Sequence, residues 1–141
     1  MTKSISIYKL TDSAGKTRAG ESNCIQWAPG CTMTAMGKGA LCGPGWIHAY
    51  TNPLLAVLLN PIHANISDPL LWECEGEIGA TDHGLKVGCT RLTTLETIPL
   101  PAVTTAQRVR WAIYCAQAAG RQSAAWDLWA ALWLSGEDRA A

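Results

Sequence analysis

The sequence predicts an α+β fold in which a small, mainly antiparallel sheet is followed by two C-terminal helices. Strand-like alternation recurs through the first two thirds of the chain, a proline-containing helix start interrupts it once, and capped helical segments fill the last third. Of the 141 residues, 48% are hydrophobic and 16% charged, which provides enough apolar surface to offset the entropy of ordering one core. We therefore expect a single folded domain over residues 1–141.

Three short strands are predicted in the first half of the chain. The first has Ile5 and Ile7 on one face, and the second ends at a Pro-Gly pair. A glycine-rich segment, residues 37–45, is expected to form a flexible loop before the third strand. The predicted strands are Ser4 to Lys9, Cys24 to Trp27, and Trp46 to Tyr50.

A short helix is expected directly after the third strand. Asn52 is a favoured N-cap residue, and Pro53 fits the first helical position, where its missing N–H is harmless. The Asn60-Pro61 pair is expected to end this helix, because a residue before proline disfavours helical backbone angles. The short helix therefore follows the Trp46 to Tyr50 strand at once.

A β-hairpin is predicted next, from Leu70–Ile78 and Leu85–Leu92, joined through Thr81-Asp82-His83-Gly84. Asp, His and Gly tolerate the unusual backbone angles of tight hairpin turns. This hairpin makes most of the sheet antiparallel.

Two helices are predicted at the C-terminal end. Thr104 and Gln107 form a capping-box pattern for a helix reaching about Ala119, and Gly120 closes it. Ser123 is the expected N-cap of the last helix, which ends at Ser135-Gly136. Three tryptophans of this helix form one stripe, which is typical of a core or of a dimer seam: Trp126, Trp129 and Trp133. Seven tryptophans in a chain of this size lead us to expect a homo-oligomer.

Composition and charge exclude several classes of function. Eleven basic and eleven acidic residues balance, so general nucleic-acid binding and binding to an anionic membrane surface are not expected. Residues 1–10 lack the apolar run of a secretory signal, and the longest apolar stretch is too short to cross a bilayer. A cytoplasmic protein with reduced cysteines is therefore expected.

Familiar motifs for metals, cofactors and phosphates are missing from the sequence. No Cys-x-x-Cys pair occurs and the three histidines are scattered, so no metal site is predicted. Gly37-Lys38 and Gly15-Lys16-Thr17 both lack the first glycine of a P-loop, and Gly37-x-Gly39 lacks the third glycine of a dinucleotide fingerprint. No resident cofactor is predicted, and a standard hydrolase or kinase is not expected.

The best candidate for a site is one face of the third strand. A period of two places Trp46, His48 and Tyr50 together on a face of polar rings, opposite an apolar face. This face is suited to stacking a nucleobase, while the helix start at Asn52 attracts a phosphate. The alternative is that Trp46 and Tyr50 pack under a helix and His48 is hydrogen-bonded at the edge.

Two arginines and a row of acids are further candidates. Arg91 is expected on the face of Val87 and Cys89, where its partner is either a neighbouring Glu or a ligand phosphate. Arg108 lies beside Trp111 on the next helix, and the pair is suited to holding a ligand or a second subunit. The acidic row, defined as Glu73, Glu75 and Glu77, is either a solvated strand face or a source of acid–base groups.

The segment from Leu41 to Leu54 resembles small uncharacterised domains of phages and bacteria, which share an L-C-x-x-G-aromatic-H core followed by N-P-L. The strand–helix unit is also similar to that of ADP-ribosyltransferase-like folds. The first resemblance implies a phage protein acting in the cytoplasm of a host cell, and the second implies chemistry on NAD or ADP-ribose.

Three functions follow from these patterns. The first is a phage protein that binds and sequesters a nucleotide-like molecule of host immune signalling without turnover, an anti-defence role. Its expected ligand-binding residues are Trp46, His48, Tyr50, Asn52, Arg91 and Arg108. The second is an ADP-ribosyltransferase-like enzyme, or one that processes NAD or ADP-ribose with a carboxylate of the acidic row. The third is a protein–protein inhibitor of a host defence factor that acts through exposed tryptophans.

Overall fold

A computed structural model describes residues 5–120 and 122–139 and confirms the α+β fold class, with a mainly antiparallel sheet and three helices. Ser4, the first residue of the first predicted strand, lies outside the described residues. The strands are β1 (Ile7–Thr11), β2 (Lys16–Thr17), β3 (Ile25–Gln26), β4 (Thr32–Thr34), β5 (Ile47–Ala49), β6 (Leu70–Asp82) and β7 (Lys86–Ile98). The helices are α1 (Pro53–His63), α2 (Thr105–Ala119) and α3 (Ala124–Ser135).

The chain divides into two compact units, Met1–Pro101 and Ala102–Ala141. The first unit contains every described strand together with α1, and the second contains α2 and α3. Within the described ranges, no helix combines the length and the apolar character that crossing a membrane requires.

The main sheet of the first unit closes on itself. β6 and β7 pair antiparallel along their length, β1 pairs with the other side of β6, and β4 and β5 pair with the other side of β7. Tyr8 and Tyr50 then exchange two main-chain hydrogen bonds, of 2.7 and 2.8 Å, which join β5 to β1. The order β1, β6, β7, β5 therefore forms a closed ring. Its core consists of Ile7, Trp27, Ile47, Ala49, Trp72, Cys74, Val87, Cys89 and Leu92.

The predicted hairpin is confirmed, and its strands are longer than expected. His83 and Gly84 have φ angles of 47° and 79°, and the Leu85 N–H donates to the Asp82 carbonyl oxygen at 2.7 Å. Positive φ at both central residues matches the right-handed twist of the flanking strands. The extra residues, 79–82 and 93–98, include several threonines, which fit a half-exposed strand.

The start of α1 is as predicted, but its end is not. Asn52 caps the helix and Pro53 opens it, yet the helix continues through Pro61 to His63. Proline removes one intrahelical hydrogen bond here, and Asn60 supports the following turn. The Asn60 side chain accepts a hydrogen bond from the Ile66 N–H and donates one to the Ile66 carbonyl oxygen, each at 3.0 Å. These bonds stabilise the last turn after Pro61.

The second unit is a helical pair with the predicted caps. Thr104 and Gln107 form the reciprocal capping box of α2, and Gly120 ends that helix with a φ of 70°. Ser123 and Gly136 cap the two ends of α3. The tryptophan stripe packs in the core of this unit, which consists of Ile113, Ala130 and Trp133 with Val109, Trp126, Trp129 and Leu134 around them.

Candidate functional site

A cleft of about 860 Å³ opens in the first unit and includes three of the predicted site residues, Trp46, His48 and Tyr50. Residues from β1, β5, β7, the end of α1 and the β2–β3 hairpin line it. Its charged side chains are four basic and two acidic: Lys9, Lys16, Arg18 and Lys86, with Asp12 and Glu21. The wall therefore favours an anion.

The alternation of β5 positions the first part of this wall. Ile47 and Ala49 are buried in the core, so His48 lies on the opposite side of the strand. The Nε2 atom of His48 donates to the main-chain oxygen of Leu41, which leaves Nδ1 of the neutral ring as an acceptor. Burial lowers the pKa of His48. The hydrogen bond to Leu41 raises this pKa, and the nearby cations of Lys86, Lys9 and Arg18 lower it. His48 is therefore neutral near pH 7.

The ring of Trp46 rests on glycines of the hairpin strands. A Cβ atom at Gly79 would lie 2.7 Å from Cζ3 of Trp46, and one at Gly88 would lie 3.0 Å from its Cβ. The indole N–H donates to the Gly39 carbonyl oxygen at 3.1 Å, which fixes the ring orientation. The residue is partly exposed, so the ring is held in place and still borders the cleft.

The glycines of residues 37–45 allow the two arms of this loop to pack closely. The Gly37 N–H donates to the Gly45 carbonyl oxygen at 2.8 Å, and a Cβ at Gly45 would overlap the carbonyl group of Lys38. Glycine is needed here because the two arms of the loop approach each other closely. The loop thereby presents the Leu41 carbonyl oxygen to His48 and the Gly39 carbonyl oxygen to Trp46 as hydrogen-bond acceptors.

Tyr50 and His63 form a pair at the other end of the wall. The Tyr50 hydroxyl and Nδ1 of His63 form a hydrogen bond of 2.8 Å, and the two rings stack 5.9 Å apart. Burial raises the pKa of Tyr50 to about 12, and burial also lowers the pKa of His63. Tyr50 is 7% exposed, so it packs against α1 as the alternative interpretation proposed, although it also lines the cleft.

Two buried lysines complete the wall, and sequence reasoning missed both. Lys9 donates from Nζ to the His48 carbonyl oxygen at 2.8 Å and lies over the Trp27 ring, 5.3 Å from its centroid. Burial lowers its pKa to about 8. Lys86 donates from Nζ to Sγ of Cys42 at 3.2 Å. Each side chain is 8% exposed.

The other cations of the cleft come from the β2–β3 hairpin. Asp12 forms the turn before β2, because its Oδ1 accepts from the N–H groups of Ala14 and Lys16 at 3.0 and 2.8 Å. The hairpin then carries Lys16 and Arg18 to the cleft as exposed side chains.

Two predicted site residues of the first unit, Asn52 and Arg91, do not line the cleft. Asn52 is exposed, and its Oδ1 accepts from the Leu54 N–H at 2.9 Å, so it caps its own helix. Arg91 is exposed and forms an ion pair with Glu77 at 3.2 Å. Arg108 is exposed on α2, in the second unit.

The predicted face of Arg91 is wrong because of a β-bulge. Arg91 pairs with Glu77 and Cys89 pairs with Ile78, so Thr90 is an extra residue in β7. The extra residue reverses the alternation, which puts Leu92 in the core and Arg91 outside. Of the two partners left open for Arg91, the structure shows the glutamate.

The acidic row lies on the outer side of β6. Glu75 and Glu77 are exposed and Glu73 is partly exposed, whereas the alternating residues Trp72 and Cys74 are buried. None of the three carboxylates is among the residues lining the cleft, so the row is a solvated strand face.

The candidate site rests on this geometry alone. In the described part of the chain, no three His, Cys, Asp or Glu side chains are grouped so that they could hold a metal ion. No protein-family model, curated protein or solved structure matches the chain. The resemblances to phage domains and to ADP-ribosyltransferase-like folds stay predictions.

Proposed function

We propose that this protein binds a small anionic molecule with a flat ring, of the nucleotide class, and holds it without converting it. The observation that supports this proposal is that four basic side chains, two acidic ones and a partly exposed indole line one cleft. The cleft volume of about 860 Å³ falls within the ~300–1,000 Å³ typical of small-molecule sites.

Each part of the ligand has a partner in this cleft. Trp46 offers a stacking surface whose ring is already fixed by the Gly39 hydrogen bond, so little entropy is lost on binding. His48 offers Nδ1 as an acceptor for an amino group of a base. Lys86 and Arg18 supply positive charge for a phosphate.

Binding without conversion is supported by the positions of the carboxylates. The acidic row faces away from the cleft. Of the two carboxylates that line the cleft, Oδ1 of Asp12 already accepts two main-chain hydrogen bonds, and Glu21 is exposed to solvent. Sequestration of a host immune signal, and self-association of the chain, stay predictions from the sequence.

The test is a mass-spectrometric retention experiment. A panel including NAD, ADP-ribose and cyclic nucleotides is incubated with excess protein, filtered, and measured again after heat release. We expect one nucleotide to disappear from the filtrate and to return unchanged on heating. A chemically altered product would replace the proposal with an enzyme, and complete passage of every nucleotide would overturn it.

A matched pair of variants connects retention to the cleft. Lys86→Gln removes a buried cation, and we expect the affinity for the retained nucleotide to fall about tenfold. Lys38→Gln removes an exposed lysine that does not line the cleft, and the affinity should not change. Equal losses in both variants would show that the ligand responds to net charge rather than to this site.

A further inference from the structure

Lys9 is an interior lysine that opens onto the cleft. It follows Ile7 at a spacing of two on β1, so both point inward, and its side chain is 8% exposed. Its Nζ donates to the His48 carbonyl oxygen. Within residues 5–120 and 122–139, no carboxylate forms a salt bridge with Lys9.

We propose that the Nζ amine of Lys9 is a nucleophile that captures a small phosphate-bearing aldehyde as a reversible imine in the cleft. A lysine of this kind needs a cavity for the carbonyl compound, apolar neighbours, and no carboxylate that holds it as a cation. Lys9 lines the cleft, lies over the apolar ring of Trp27, and forms no salt bridge with a described carboxylate. The inference goes beyond the proposed nucleotide binding, which requires no covalent bond.

The reaction needs only the amine and the aldehyde. The lone pair of Nζ attacks the carbonyl carbon and forms a C–N bond, while a proton passes from nitrogen to the carbonyl oxygen and gives a carbinolamine. The nitrogen lone pair then forms the C=N bond, and the hydroxyl group leaves as water with the remaining N–H proton. One aldehyde and one amine give one imine and one water, with no change of oxidation state.

The cations of the cleft favour an aldehyde that also carries a phosphate group. Arg18 and Lys86 line the same space as Lys9, so an anionic group on the ligand is attracted there while its carbonyl carbon reaches Nζ. A phosphate carries the charge that two such cations favour.

The protonation of Lys9 agrees with this role. Burial lowers its pKa to about 8, so an appreciable fraction of Nζ is the neutral amine near pH 7.5. The titratable groups around it are the thiols of Cys74 on β6 and Cys89 on β7 and the guanidinium of Arg18, with the His48 carbonyl oxygen on β5.

The test uses pyridoxal 5′-phosphate as an aldehyde-phosphate probe on the full chain. The imine is reduced with borohydride, and the labelled lysine is located by peptide mass spectrometry. We expect labelling at Lys9 to exceed that at Lys16, Lys38 and Lys86 at least tenfold. We also expect its rate to level off above about pH 8, whereas that of a short lysine peptide keeps rising.

Two comparisons complete the experiment. Lys9→Arg keeps the cation but has no nucleophilic amine, so incorporation at that position should be lost while melting stays cooperative. Pyridoxal without its phosphate should label Lys9 several-fold more slowly. Equal labelling of Lys9 and the exposed lysines of the wild-type protein would overturn the proposal, whether or not the variant folds. Retention of an unmodified nucleotide would be unaffected by that result, so the two proposals fail separately.

Discussion

The Nζ atom of Lys9 lies 2.8 Å from the main-chain oxygen of His48, so the interior cation of β1 is hydrogen-bonded to the backbone of β5. These two strands close the ring through Tyr8 and Tyr50. The hydrogen bond compensates only part of the cost of burying the ammonium group. The folded protein therefore holds the Lys9 proton less tightly than the unfolded chain does.

This difference makes stability rise with pH above about 8. The pKa of Lys9 is about 8 in the fold against an ordinary 10.5, so the unfolded state binds more protons between these values. We expect the contribution of Lys9 to the free energy of unfolding, taken as the difference between the wild type and Lys9→Met, to increase by about 1 kcal/mol from pH 7.5 to pH 9 in urea denaturation at constant ionic strength.

The window ends near pH 9 because other groups act in the opposite direction. Burial raises the pKa of Cys74 to about 12, of Cys89 to about 11 and of Tyr50 to about 12, so the folded state keeps these protons longer than the unfolded state. Their contributions to stability decrease at higher pH. These groups act equally in Lys9→Met, so the difference between the two proteins isolates Lys9, and a difference that stays constant from pH 7.5 to pH 9 would contradict the lowered pKa of Lys9.

The helix caps and the hairpin turn were predictable because each acts on its own backbone. Asn52, Thr104 and Gly120 occupy cap positions that their side chains or backbone freedom satisfy locally. The His83-Gly84 turn depends only on two residues that accept positive φ. Such signals need no knowledge of distant partners.

The cleft depends on long-range pairing and was only partly predictable. The alternation of β5 identified His48. Lys9 reaches the site because β1 closes the ring beside β5, and His63 reaches it because α1 continues past Pro61. Lys9 carried a signal, since it follows the buried Ile7 at a spacing of two, whereas Ile5 is exposed and lies before β1. The bulge at Thr90 carried none, because register shifts arise from how two strands pair.

The support of Trp46 predicts a steric effect at Gly79. A Cβ added there would lie 2.7 Å from Cζ3 and 3.1 Å from Cη2 of the indole ring, so the ring must shift away from its Gly39 hydrogen bond. We expect Gly79→Ala to destabilise the fold by about 1–3 kcal/mol, measured by chemical denaturation. In a Trp46→Ala background the same substitution should cost much less, and an equal cost in both backgrounds would contradict this packing.

The capping box of α2 predicts a local effect in the second unit. Thr104→Ala removes the acceptor of the Gln107 N–H, a bond of 3.1 Å, and should cost about 1 kcal/mol. Amide hydrogen exchange should become faster in the first turns of α2. Thr105→Ala is the matched control, because Thr105 is an exposed first helical residue outside the capping box. Equal acceleration in both variants would show that the box does not stabilise this helix.

The exposed position of Arg91 predicts that it contributes little to stability or binding. Its side chain is 44% exposed and that of its partner Glu77 is 63% exposed, so solvent screens the pair. Arg91→Gln should change the free energy of unfolding by less than about 1 kcal/mol. It should also leave the affinity for a retained nucleotide unchanged, whereas Lys86→Gln weakens it. Titration calorimetry of both variants decides the matter, because a large loss of affinity in Arg91→Gln alone would move the ligand to the outer face of β7.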